Sequence, residues 1–160
     1  MDFASLFHRD LSRLMKQLEA FPSREMIWAV VPGITNSAGT LALHLEGNLR
    51  EYIGRQLGGE AYARNRVAEF SPAQLETEEI IARLEQLRTL IPHTLEGISD
   101  ERMKATYPEV VLGVPLSVED FIAHLYGHLN WHLGQIDSLR RALTGDGAIP
   151  AVGLNPRAER

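Results

Sequence analysis

The chain has 160 residues, enough for one domain with a substantial core, and its composition, 44% hydrophobic and 23% charged, is that of an ordinary globular protein. A net charge of −5 provides no basic footprint for nucleic acid or an anionic membrane, and the absence of cysteine excludes disulfides, thiolate metal sites and a protein thiol nucleophile. The first ten residues carry acid and no long apolar run, and no stretch approaches a membrane span, so the expectation is a cytoplasmic protein without a signal peptide.

In chain order, Phe3, Leu6, Phe7, Leu11, Leu14, Met15 and Leu18 recur at helical spacing and predict a first amphipathic helix over residues 3–20, stopped by Phe21-Pro22-Ser23. His8 lies within it as a partly exposed residue. A turn-rich approach, Trp28 to Ser37, leads to a second helix capped by Thr35, Asn36 or Ser37 and ended near Leu57 by Gly58-Gly59. Its apolar face holds Leu41, Leu45, Leu49, Tyr52 and Ile53, with His44, Asn48 and Glu51 beside it. Residues 60–70 read as a polar connection.

Ser71-Pro72-Ala73-Gln74 fits a capping box with proline at the first helical position, opening a third helix through Leu75, Ile80, Ile81, Leu84, Leu87, Leu90 and Ile91. The acids Glu76, Glu78 and Glu79 read as a solvated helix start, favoured there by the dipole. Pro92 is expected to break or kink this helix, with His93 beside it. Residues 100–116, with prolines at 108 and 115, predict a long crossover loop or short hairpin tied down by Val110, Val111 and Leu112. Ser117 then caps a last helix, Leu116 can staple against Phe121, and the helix runs through Ile136, Leu139 and Leu143 to Gly145. The expected architecture is all-α: a four-helix bundle over residues 1–145 with a long crossover between helices 3 and 4, followed by a Gly/Pro-rich tail over residues 146–160.

Chemistry concentrates in the last helix, where His124, His128 and His132 stand four apart. Two imidazoles at i and i+4 can close on one ion. The outer pair, about 12 Å apart along the axis and turned by roughly 80°, cannot easily do so. The chelating pair is therefore His124/His128 or His128/His132, with a further ligand from another element. His44 with His128 and His132 would make a three-imidazole site, suited to zinc, nickel, copper or iron, with a position open to water or substrate. The spacing of His128 and His132 is that of a zinc-protease helix, but Leu129 stands where that motif needs its glutamate base. Glu46, Glu51 and Asp137 are candidate supporting acids, though solvated helix acids are the commoner reading of such residues. Ser37, Ser71 and Ser117 sit at apparent helix starts, where capping engages their hydroxyls, so a nucleophile would have to be exogenous.

Three parts of the chain together resemble the DinB/YfiT-like superfamily of metal-dependent enzymes: Trp28, Pro32-Gly33, Asn36-Ser37 and Leu43-His44-Leu45; the long helix 3–helix 4 crossover; and His128, His132, Gly134 and Gln135. The resemblance implies a homodimeric four-helix bundle. It implies zinc or nickel on His44, His128 and His132, with His124 outside the ligand set. Thiol-dependent S-transferases and a mycothiol-dependent isomerase occur in that superfamily. By resemblance, then, the expected function is a metal-dependent transferase or hydrolase that activates a low-molecular-weight thiol or water toward a small-molecule substrate. The alternative is a non-catalytic metal- or ligand-binding bundle. Gly47-Asn48 follows the second-helix histidine where relatives often carry bulkier or aromatic residues.

Overall fold

The computed structural model of the chain describes residues 2–71, 75–147 and 149. Among these the secondary structure is helical, with one isolated antiparallel bridge, between Thr106 and Ser117. Helix α1 spans Phe3–Glu19, with the Asp2 carboxylate accepting the Ser5 N–H at 3.0 Å. A short α2 (Arg24–Trp28) precedes α3 (Ala38–Leu49), whose cap is Ser37: its hydroxyl accepts the Thr40 N–H at 3.1 Å. Helix α3 continues without a break into a π turn, Arg50–Arg55, and the chain turns away at Gly59, whose φ of +73° favours a residue without Cβ. Then come α4 (Arg66–Glu69), α5 (Thr77–Glu96), α6 (Asp100–Lys104) and α7 (Val118–Thr144). Ser117 caps α7 through the Asp120 N–H at 3.0 Å, and Gly145 ends it at φ +73°.

The four long helices form a ring in which α1 packs on α5 and α7, and α3 packs on the same two. Phe7, Leu11, Leu14 and Leu18 from α1, Leu45 and Leu49 from α3, Leu84, Leu87 and Ile91 from α5, and Leu129 and Ile136 from α7 are fully buried in the shared core. Each such side chain contributes roughly 1.5–3 kcal/mol of transfer free energy. Helix α3 differs from the amphipathic reading of its sequence. Every residue from Leu41 to Leu49 is buried, because α2 and α4 cover the side turned away from the bundle. That cover removes His44 from bulk water.

Several expectations are corrected. Pro92 does not end α5, which continues to Glu96 with Pro92 buried inside it; proline removes one N–H near the helix end, and the residues after it still bond. Of the Ser71–Gln74 capping box, residues 72–74 lie outside the described residues, while α5 itself starts later, at Thr77, with Glu76 as cap. The Ser71 hydroxyl donates to the Val67 carbonyl at 2.9 Å. Of Val110, Val111 and Leu112, expected to tie down the connection over residues 97–117, Val111 is half-buried against the core, while Val110 and Leu112 are 59% and 46% exposed. Tyr107 holds the connection, its ring 4.3 Å from that of Phe121 and its hydroxyl donating to the Tyr52 carbonyl at 2.7 Å. The expected tail, residues 146–160, lies almost wholly outside the described residues. No helix among the described residues is long and apolar enough to cross a membrane.

Candidate metal centre

Packing of α3 against α7 brings His44 opposite His128 and His132. The Nε2 atoms of His44 and His128 are 3.2 Å apart, and those of His128 and His132 are 3.0 Å apart. One nitrogen from each ring lies within 4.8 Å of the other two. Zinc–imidazole bonds of about 2.0–2.1 Å in tetrahedral geometry would place neighbouring nitrogens roughly 3.3 Å apart, so a single ion fits the observed spacing. His44 is buried, and the other two are half-buried.

The outer ring nitrogens settle what the inner ones can do. His44 Nδ1 lies 3.0 Å from Glu69 Oε2, and a carboxylate can only accept, so the proton is on Nδ1. His132 Nδ1 likewise donates to Gln135 Oε1 at 2.7 Å. Both rings therefore turn an Nε2 lone pair inward. His128 Nε2 can donate to one of them at most, which leaves at least one inward lone pair without a donor. A cation would satisfy it, and the donor set, three neutral imidazoles, suits a borderline divalent ion. Burial, and then the neighbouring His132 and His44, hold His128 well below the usual imidazole range, at about 4. His132 is also lowered, by burial first, against the Gln135 hydrogen bond. Both rings are thus kept in the neutral form that a metal requires.

Around the cluster the Phe70 ring lies 5.0 Å from that of His44. An open groove of about 810 Å³ runs beside it, lined by Val31, Ile34, Leu41, Trp131, Gln135 and Leu139 among others. Gln135 belongs to both, its side chain lining the groove while its carbonyl oxygen orients His132. Trp131 is 68% exposed at the groove wall.

His124 is not in the cluster. It is exposed, with its ring stacked on Phe121 at 5.9 Å. The three acids expected as supporting groups are engaged elsewhere: Glu46 with Arg50 at 2.8 Å, Glu51 with Arg55, and Asp137 with Gln17, Arg140 and Arg141. The carboxylate that reaches a site histidine is Glu69, on a helix of one turn inside the stretch read as a plain connection. Arg64 grips it, Nε to Oε1 at 2.6 Å and Nη2 to Oε2 at 2.8 Å. Burial raises the Glu69 carboxyl, but hydrogen bonds from Arg64 and His44 bring it below its usual range. No periodicity marks this residue; the structure alone shows that Glu69 fills the space beside Gly47.

The helical ring that carries this cluster between its second and fourth long helices has the DinB-like fold. A DinB-like protein from Bacillus cereus ATCC 10987 superimposes with a TM-score of 0.67 over 92% of this chain and 95% of that one, at 20% sequence identity. That likeness establishes the fold. Among curated proteins nothing matches the chain. The chain belongs to the DUF1572 family, described as proteins of unknown function, whose sequence pattern matches residues 5–149.

Proposed function

We propose that this protein holds one divalent metal ion, zinc or nickel, on the Nε2 atoms of His44, His128 and His132, and is a metal-dependent enzyme acting on a small molecule. The observation that carries this reading is the convergence of those three nitrogens while acceptors hold the protons of His44 and His132 on the far side of each ring. When bound, the ion would supply a Lewis acid that lowers the pKa of a water or a low-molecular-weight thiol at neutral pH. The chain's own residues support an exogenous nucleophile. There is no cysteine, and the hydroxyls of Ser37, Ser99 and Ser117 are occupied as helix caps. The groove shared through Gln135 offers an apolar wall for the body of the substrate, with Phe70 shielding His44 from water. The resemblance to the DinB/YfiT-like proteins also supports assembly as a homodimer, for which light scattering should return the mass of two chains.

Metal analysis of protein purified without a histidine tag tests the site. About one equivalent of ion is expected in the wild type and in His124→Ala, and little in His44→Ala, His128→Ala or His132→Ala. Loss of the ion from His124→Ala with retention in His132→Ala would place the chelating pair a turn too late. A screen of thiols with small electrophiles tests the chemistry: turnover should vanish on chelation, return with zinc or nickel, and saturate with added thiol. A verified metal-free sample with full activity would defeat the proposal.

A further inference from the structure

We infer that Glu69, seated in a space that Gly47 leaves open and clamped by Arg64, is the positioning residue that fixes the tautomer of His44 and so sets the affinity of the three-histidine site. The affinity half of this inference rests on the metal-binding reading above; the tautomer half does not. Three observations meet at this residue. Glu69 is buried, yet it belongs to a single-turn helix on the far side of α3 from the bundle core. Both of its oxygens are engaged in directions that leave only one for the histidine: Arg64 donates to Oε1 and Oε2, and His44 Nδ1 donates to Oε2. And the backbone of α3 is bare where the carboxylate passes. A Cβ on Gly47 would come within 2.8 Å of the Glu69 carboxyl carbon, within 3.3 Å of its Cγ, and closer still to Oε1.

Side chains one methyl larger at position 47 therefore cannot coexist with Glu69 in its present place. A carboxylate behind a ligating imidazole holds the ring in one orientation, keeps the proton on the outer nitrogen and raises the basicity of the inner one. The paired guanidinium balances the buried charge, so Glu69 orients the ring without leaving a bare anion beside it. Gln135 does the same for His132 with a neutral carbonyl, which makes His44 the ligand with the charged partner.

Zinc affinity measured by competition with a chromophoric chelator, together with nitrogen NMR of the histidine rings in metal-free protein, tests this. Glu69→Ala should weaken zinc binding roughly 10–100-fold, and Glu69→Gln, which keeps an acceptor, should recover part of the loss. Gly47→Ala should weaken binding to a similar extent. The double variant Gly47→Ala/Glu69→Ala should be no worse than either single change, since the added methyl then has room. In metal-free wild type His44 should be the Nδ1–H tautomer, and in Glu69→Ala a mixture. A wild type that binds zinc while Glu69→Ala binds it equally well overturns the inference alone. A wild type that binds no ion overturns the metal reading, and the tautomer of His44 then still decides the role of Glu69. Losses from the two single variants that add in the double variant would show that Gly47 acts independently of Glu69.

Discussion

Asp10 shows what a fully buried carboxylate requires. It lies at the contact of α1 with α7, wholly shielded, and is reached by Arg9 at 2.8 Å, the Tyr126 hydroxyl at 2.6 Å, Asn130 at 3.1 Å and Arg13 at 3.2 Å. Burial pushes its carboxyl up, but the Arg9 guanidinium and the Tyr126 and Asn130 donors outweigh burial and hold it below the usual range. Because the folded value lies below the unfolded one, this carboxylate's contribution to stability is complete above about pH 4 and falls away as pH drops through the folded value. Acid titration of unfolding should show this, and Asp10→Asn should flatten the acid limb. Asp10→Ala leaves buried donors and a guanidinium without their acceptor and is expected to cost about 3–5 kcal/mol in denaturant unfolding. A change below about 1 kcal/mol would show that water replaces the carboxylate at no cost.

Between elements, the π turn and the α5–α7 connection explain each other. The Gln56 N–H bonds back to the Glu51 carbonyl and the Leu57 N–H to that of Ile53, so neither serves the carbonyl of Tyr52 between them. The Tyr107 hydroxyl takes that place. The one buried ring of the connection thus takes up a carbonyl left by the π turn after α3 and packs on Phe121 of α7. Tyr107→Phe keeps the packing and orphans the carbonyl, at an expected cost of about 1–3 kcal/mol. Val110→Ala, at an exposed position, should stay within about 0.5 kcal/mol. Equal costs for the two would mean that the connection is held by something other than Tyr107. At the start of α7, Ser117→Ala should cost about 1 kcal/mol, since its hydroxyl both caps the Asp120 N–H and donates to the Asp120 carboxylate at 2.6 Å.

For the whole molecule, the proposed ion ties α3 to its neighbour α7, and its binding is linked to folding. An ion that binds only the folded chain adds about 2.7 kcal/mol when present at a hundred times its dissociation constant. Zinc should therefore raise the unfolding midpoint of the wild type and leave that of His128→Ala where it was. A parallel rise in both would point to binding elsewhere. In the core, Leu45→Ala is expected to cost about 2–5 kcal/mol, because α3 is covered on every side and cannot collapse inward onto a cavity without moving α2 or α4.

What the sequence determined by itself is what depends on near neighbours in the chain. The apolar spacing of α1 and α7, a cap among Thr35, Asn36 and Ser37 that the structure narrows to Ser37, the Ser117 cap and the stops at Gly58-Gly59 and Gly145 are properties of a few consecutive residues. The four-residue spacing that puts His128 and His132 on one face is equally local. Helices α2, α4 and α6, at five residues or fewer, are too short to be stable alone, so only their packing decides that they are helical. The same holds for the choice of Tyr107 over Val110 and Leu112, and for the continuation of α5 past Pro92. The meeting of His44 with His128, 84 residues away, depends on α3 lying against α7. Glu69 reaches His44 because a one-turn helix lies over a glycine, an arrangement no period in the sequence encodes. Helical spacing is set by the backbone's own hydrogen bonds, whereas the partner of an imidazole is set by which surfaces the chain buries against each other.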